Sequence, residues 1–334
     1  MTSLGLFAIL LTLAAVFGVV NARTLRLPTT IGVLVFALLA SLVMLAINPL
    51  IPGYDLRVLS RQFLDVVDLP HTLLNGALSF LLFAGALQVD LTVLLSRKLA
   101  VLALALIATL LAVFLFGGAM WLIFPFLGPA VPFIWCIVLG AILAPTDPVS
   151  VIGMLRRIGL PAPLQAVFAG ESLFNDGVGV VVYGAALGAR RSRSALSESS
   201  RSELMTFWSL VDEVLNMLLF LLIGFEVLAV AFRLSHIVAV LIAIPLSIIV
   251  RAISVFVATL PVQLRNRDRG RSLVVLTWGG LRGGISVALA LGLPENDLRP
   301  ALLAVSYGVV IFTIIVQGLT IERVARLFYR VEEP

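Results

Sequence analysis

Residues 164–188, LQAVFAGESLFNDGVGVVVYGAALG, decide how the rest of the chain is read. As a helix this stretch is long enough to cross a bilayer, since ~20 helical residues span ~30 Å of hydrocarbon. Yet Glu171, Asn175 and Asp176 stand in its first half and not at its ends. A charged side chain near the bilayer midplane costs roughly 2.5–3.5 kcal/mol on insertion scales. A spanning helix that keeps two carboxylates at that depth has a use for them. At ~100° per residue, Ser172 and Asp176 stack on one face, and Glu171 and Asn175 form the neighbouring one. One pair can meet a cation while the other faces a second helix.

Composition agrees with a membrane setting. Of 334 residues, 61% are hydrophobic and 12% charged, against roughly 45–50% and about 25% in soluble domains. The chain reads as an all-α, multi-pass membrane protein. Its net charge of +5 reflects loop arginines that set topology and gives no case for nucleic acid. Cys136 is the sole cysteine, so no intrachain disulfide is possible. The first apolar run has no basic residue before it, while Arg23 and Arg26 follow it. A signal peptide needs a basic leading region, so the first helix is expected uncleaved, with its N-terminus outside.

About ten apolar segments of spanning length can be marked, at 4–20, 29–48, 70–88, 99–123, 131–156, 164–188, 211–231, 236–260, 271–293 and 299–320. The linker 49–69 is too polar to span. Two segments are interrupted. In the fifth, Ala144-Pro145-Thr146-Asp147-Pro148 brings two residues that lack an amide proton and disfavour helix before them. Asp147-Pro148 has the form of an N-cap followed by a first-turn proline, which predicts a second half-helix there. In the ninth, Gly279-Gly280-Leu281-Arg282-Gly283-Gly284 surrounds an arginine with glycines and favours unwinding. Two broken helices in matching places predict an inverted-repeat transporter core.

The loops test this layout. Starting outside, Arg23/Arg26, Arg97/Lys98 and Arg156/Arg157 all fall on the cytoplasmic side. Simple alternation then puts Arg190, Arg191, Arg193 and Arg201 outside, against the charge rule. Placing them inside restores consistency through Arg265, Arg267, Arg269 and Arg271 to the tail with Arg323, Arg326 and Arg330. The parity fails once, between 188 and 210.

Thr146-Asp147-Pro148, Glu171-Ser172-Leu173-Phe174-Asn175-Asp176-Gly177 and Gly280-Leu281-Arg282-Gly283-Gly284 together resemble the monovalent cation/proton antiporter family, in its NhaP-like sodium/proton exchanger branch. The resemblance runs over nearly all of 1–188 and 205–325, including Leu221–Val227 and the closing Val316–Thr320. It implies about thirteen helices, divided between a core bundle and a panel that forms the interface of a homodimer. This chain passes from the Asn175-Asp176 helix directly into what matches the loop after the family's ninth helix. About three helices, a connecting one and part of the panel, are thus missing after 188, and an odd number accounts for the parity failure. The organisation expected is N-terminal helices at 1–98, a core half at 99–188 and a cytoplasmic polar loop at 189–210. A panel remnant at 211–235, a second core half at 236–325 and a cytoplasmic tail at 326–334 complete it.

Asp176 is the leading candidate. If a proton and a cation compete for one carboxylate, each can leave only as the other replaces it, which gives exchange directly. A dry surrounding helps by disfavouring the charged form, while hydrogen bonds to neighbouring helices would equally explain a buried carboxylate. Asp147 either joins Asp176 in holding the transported Na⁺ or only caps its half-helix. The resemblance implies that Thr146 offers an oxygen at the unwound point. Ser172, one turn before Asp176, is either a neutral oxygen ligand or bonded back to a helix carbonyl. Glu171 and Arg282 have the look of an ion pair, because a buried guanidinium keeps its charge. Arg251, in mid-segment eight, competes for the same carboxylate. Asn175 is expected to bridge the unwound backbones, and with an asparagine there only Asp176 need titrate, which favours a one-for-one, electroneutral exchange.

The leading function is therefore secondary exchange of Na⁺, with Li⁺ or K⁺ as other candidates, for H⁺ in the cell membrane. The expected partners are lipid, the two ions and a second copy of the chain. No cofactor and no enzymatic activity are expected. Two alternatives remain. One is a non-transporting remnant that keeps the site but has lost panel helices. The other is an intramembrane aspartyl hydrolase using Asp147 and Asp176, whose usual sequence contexts neither residue has.

Overall fold

The computed structural model describes residues 3–48, 91–128, 130–147, 161–186, 201–226, 234–261 and 269–329. Among them every regular element is helical. The elements are α1 (Ser3–Arg23), α2 (Thr29–Ile47), α3 (Leu91–Ser96), α4 (Lys98–Leu127), α5 (Phe133–Leu143) and α6 (Ala162–Ala186). There follow α7 (Arg201–Glu226), α8 (Leu234–Thr259), α9 (Arg269–Trp278), α10 (Gly284–Leu291) and α11 (Arg299–Phe328). The segment expected at 70–88, the second half-helix after Pro148 and residues 189–200 lie outside the described residues.

Both interruptions occur. The helix α5 stops at Leu143, and residues 144–147 continue without helical pairing. The expected 271–293 segment is two short helices, α9 and α10, joined by residues 279–283. Helices α2, α4, α8 and α11 are each long and apolar enough to cross a membrane.

Helix bounds run beyond the hydropathy-marked segments at two places. The polar loop placed at 189–210 is helical from Arg201 onward. Glu203, Leu204, Met205 and their neighbours are sound helix formers, but a hydropathy criterion does not register a polar helical turn. The helix α11 likewise runs past 320 and through 326–328, part of the assigned tail. Its last turns are amphipathic: Ile321 and Ala325 are buried, while Arg323, Arg326 and Leu327 are exposed.

Packing divides the apolar interior into two clusters. One collects the starts of α4 and α6 (Val101, Leu104, Leu164, Phe168), the end of α8 (Val255, Ala258), α9 (Val275, Leu276) and the last turns of α11 (Ile321, Ala325). The helix ends bearing Arg97/Lys98, Arg269/Arg271 and Arg323/Arg326 are thereby gathered at one end of the bundle. The larger cluster joins α1, α2 and α7 to α4, α5, α8, α10 and α11. Helix α7 lies along α2, where Ser41 Oγ–H donates to the Gly224 carbonyl at 2.8 Å.

Helices α4 and α5 approach so closely that a methyl group on Gly140 would overlap the Val113 carbonyl, whereas one on Gly118 would meet nothing within 4 Å. Gly140→Val should therefore cost about 1–3 kcal/mol through overpacking, and Gly118→Ala should be neutral or slightly stabilising. Thermal midpoints of the detergent-solubilised protein measure both. Equal midpoints for the two variants would contradict this contact.

Candidate functional site

The site is built where the two interruptions cross. The Asp147 amide donates to the Leu281 carbonyl at 2.8 Å, so each unwound strand supplies what the other lacks. A side chain at Gly283 would overlap Asp147, and only a residue without Cβ lets the backbones approach this far. Each break is also held by a later helix, the first by α6 and the second by α11. The Thr146 amide faces Asn175 Oδ1 at 3.4 Å, and the Arg282 amide donates to Thr313 Oγ1 at 3.1 Å. The spacings, 29 and 31 residues, agree with two repeats, α4–α6 and α8–α11.

Around this crossing the structure gathers most of the residues singled out from the sequence. Asn175 Nδ2 donates to Thr146 Oγ1 at 2.8 Å, and Thr146 Oγ1 lies 3.0 Å from Ser172 Oγ. Thr146, Ser172, Asn175 and Asp176 are all at most 4% exposed. Asp176 lies one turn beyond Ser172 on α6, within electrostatic reach of Asp147, which is half-buried. Among the described residues, Asp176 Oδ1 is buried with no hydrogen-bond partner. A carboxylate oxygen left bare in a dry interior is costly. Here it shares one region with two hydroxyl oxygens, the donor set that a hard monovalent cation takes.

The expected pair of Glu171 with Arg282 is not formed. Arg251 takes Glu171, with both side chains at most 5% exposed, and its Nη2 donates to the Leu276 carbonyl at 3.3 Å. Helix α8 carries Arg251 to the Glu171 face of α6, whereas Arg282 is needed elsewhere. Its Nη1 donates to the carbonyls of Ala144 and Pro145 at 2.6 and 3.1 Å, which follow the last turn of α5. These acceptors have no helical partner at a helix C-terminus, and a guanidinium suits the negative end of the helix dipole. Arg282 holds α5 to the α9–α10 break, and Arg251 holds α6 to α8 and α9. Sequence reasoning missed Thr313, which stands in an apolar run with nothing to mark it, and the close approach of Gly283 to Asp147.

The comparisons with known proteins follow this geometry. The family model described as "Sodium/hydrogen exchanger, transmembrane" matches residues 9–200 and 178–327. The chain belongs to the sodium/hydrogen exchanger family. This exchanger-family chain is 34% identical to the Na(+)/H(+) antiporter NhaP of Pseudomonas aeruginosa, covering 98% of itself and 97% of that protein. It is 28% identical to the Na(+)/H(+) antiporter ApNhaP of Aphanothece halophytica over 80% of itself and 67% of that protein. Its fold is that of the sodium proton antiporter MjNhaP1 from Methanocaldococcus jannaschii, with a TM-score of 0.71, 15% identity and 99% of both chains covered. The relatives are transporters rather than enzymes. The two pieces of the family match meet at 178–200. The Pseudomonas aeruginosa alignment runs over 414 positions against 334 residues, so at least 80 of its positions lie opposite no residue of this chain.

Breaking a buried ion pair from one side costs about 3–5 kcal/mol, because the remaining charge is stranded, while removing both partners costs far less. Arg251→Met should thus lower the thermal midpoint in detergent by many degrees, and Glu171→Gln added to it should restore most of the loss. A double variant no better than Arg251→Met would show that the pair does not form.

Proposed function

We propose that this chain is a secondary transporter exchanging Na⁺ for H⁺ across the cell membrane, with Asp176 carrying one ion or the other. The observation that carries this reading is the buried, unpartnered Oδ1 of Asp176 beside the hydroxyls of Ser172 and Thr146. An ion supplies what that oxygen lacks. Sodium, ligated by Asp176, Ser172, Thr146 and Asp147, satisfies it in one half of the cycle. In the other half a proton neutralises the carboxyl. The Na(+)/H(+) antiporters of Pseudomonas aeruginosa and Aphanothece halophytica to which the chain is similar support the same pair of ions.

Glu171 is committed to Arg251, and Asn175 carries no charge. One titrating carboxylate per passage supports a one-for-one, electroneutral exchange. The gathering of arginine-bearing helix ends at one end of the bundle supports a cytoplasmic position for that end, given the positive-inside bias, and Arg23 and Arg26 after α1 favour an external N-terminus by the same rule. A homodimer in lipid is the assembly this reading implies.

A second reading has its own observation. The family match in two pieces and the 80 or more unmatched positions support a shortened panel. A core with nothing to move against would bind ions without carrying them.

Proteoliposomes with an internal pH dye distinguish the two. Sodium-driven proton flux is expected from the chain, and Asp176→Asn should reduce it to the level of empty liposomes. If Asp176→Asn retains flux, Asp176 is not the carrier. A folded chain that binds ²²Na⁺ without flux, and gains flux when the missing segment is restored from the Pseudomonas aeruginosa relative, would establish the second reading.

A further inference from the structure

At the arginine-bearing end of the bundle, α9 and the last turns of α11 lie side by side, joined by two side-chain hydrogen bonds. Trp278 Nε1–H donates to Thr320 Oγ1 at 2.9 Å, and the hydroxyls of Ser272 and Tyr329 are 2.9 Å apart. From Ser272 to Trp278 the partner falls from Tyr329 to Thr320, so the two helices run antiparallel. Each turns an inner face to the core: Ser272, Val275 and Leu276 on α9, and Gly318, Ile321 and Ala325 on α11, are buried. At ~100° per residue the outer faces are Arg271, Val274 and Trp278 on α9, and Val316, Thr320 and Arg323 on α11. Val274, Val316 and both arginines are exposed, while Trp278 and Thr320 are half-buried. The two outer stripes meet at the Trp278–Thr320 bond.

The joint surface is ordered along its length. On each helix the apolar members stand nearer the break and the arginine stands nearer the end of the bundle. That is the order of a phospholipid, with chains at depth and a phosphate at the rim. An arginine at the lipid boundary turns its charge to the interface, where an anion can meet it. Among the described residues neither Arg271 nor Arg323 forms an ion pair, whereas Arg326, on the neighbouring flank of α11, is paired with Glu322 at 2.9 Å.

We propose that this two-helix surface binds one anionic phospholipid, its phosphate taken by Arg271 and Arg323 and an acyl chain laid along Trp278, Val274 and Val316. Two guanidinium groups complement a headgroup with net negative charge, such as phosphatidylglycerol. Phosphatidylcholine suits them less, because its choline brings a second cation to the same rim. A soluble phosphate would meet the arginines and leave the apolar part of the surface uncovered. The site depends on the membrane setting of the fold and not on which ion is carried. Trp278 is the last residue of α9 and directly precedes Gly279 of the break, so the lipid lies against the half-helix that leads into the crossing.

Tryptophan quenching by lipids with brominated acyl chains reads this contact. In mixed micelles of the purified full chain, brominated phosphatidylglycerol should quench more than the same mole fraction of brominated phosphatidylcholine. That excess should vanish in Trp278→Phe. Arg271→Gln and Arg323→Gln should each raise the half-saturating fraction of phosphatidylglycerol about fivefold, the worth of one basic residue at an anionic surface. Both arginines are exposed, so the thermal midpoints of these variants in lipid-free detergent should match the native chain. Arg23→Gln, which removes an exposed arginine at the end of α1, should leave the half-saturating fraction unchanged. Equal quenching by the two lipids would overturn the site. An effect of Arg23→Gln as large as that of Arg323→Gln would do the same, because diffuse positive charge would then suffice. An excess that survives in Trp278→Phe would place the lipid elsewhere and reject this surface.

Discussion

An unwound backbone inside a dry interior must find its hydrogen bonds or the structure does not form. Two helices of this chain come apart at the same depth, and each meets the need of the other. The amide of Asp147 reaches the carbonyl of Leu281, and the guanidinium of Arg282 reaches the two carbonyls that follow α5. An orphaned amide or carbonyl costs on the order of 1–3 kcal/mol when buried, so these contacts are conditions for the fold and not ornaments on it. Gly283 is the steric counterpart, since any side chain there would strike Asp147 and push the breaks apart. The site exists because the crossing exists.

Charge is handled by separation of duties. The interior holds Glu171, Arg251, Asp176 and Arg282, each at most 4% exposed. Arg251 is assigned to Glu171, and Arg282 to backbone carbonyls. The bare oxygen remains on Asp176. Had Arg282 taken Glu171, as the motif alone suggests, the carbonyls after α5 would lack their donor and Arg251 its anion. The proposed exchange depends on this arithmetic, because a carboxylate already neutralised by a guanidinium has little need of a cation.

Much of this was legible in the sequence, and the reasons are physical. Prolines at 145 and 148 and glycines at 279, 280, 283 and 284 announce broken helices because they remove donors or side chains. Asp176 stands out because a carboxylate in a spanning segment is expensive. The choice between Arg251 and Arg282 was not legible, because both are buried cations within reach by spacing and only packing orders them. Thr313 was invisible for the opposite reason: a threonine can sit in an apolar helix at little cost by donating to its own backbone, as it does to Val310 at 2.9 Å. The start of α7 at Arg201 was lost because hydropathy marks where lipid begins, not where a helix does.

The positions of the Pseudomonas aeruginosa alignment that lie opposite no residue of this chain bear on motion more than on the site. Among the described residues, the hydrogen bonds that shape the crossing come from α5, α6, α8, α9, α11 and the breaks themselves. Helix α7 enters only at the edge, where Leu219 lies against Gly284 so closely that any side chain there would overlap it. A core held together by its own bonds tolerates loss of a neighbour without losing its geometry. Alternating access is different, since the core must rock against a surface that stays still. In this chain α1, α2 and α7 pack together, fastened by the Ser41–Gly224 bond and the close packing of Gly224 on Ala37. On the exchange reading, delivery of a bound ion depends on such a surface as well as on the chemistry at Asp176.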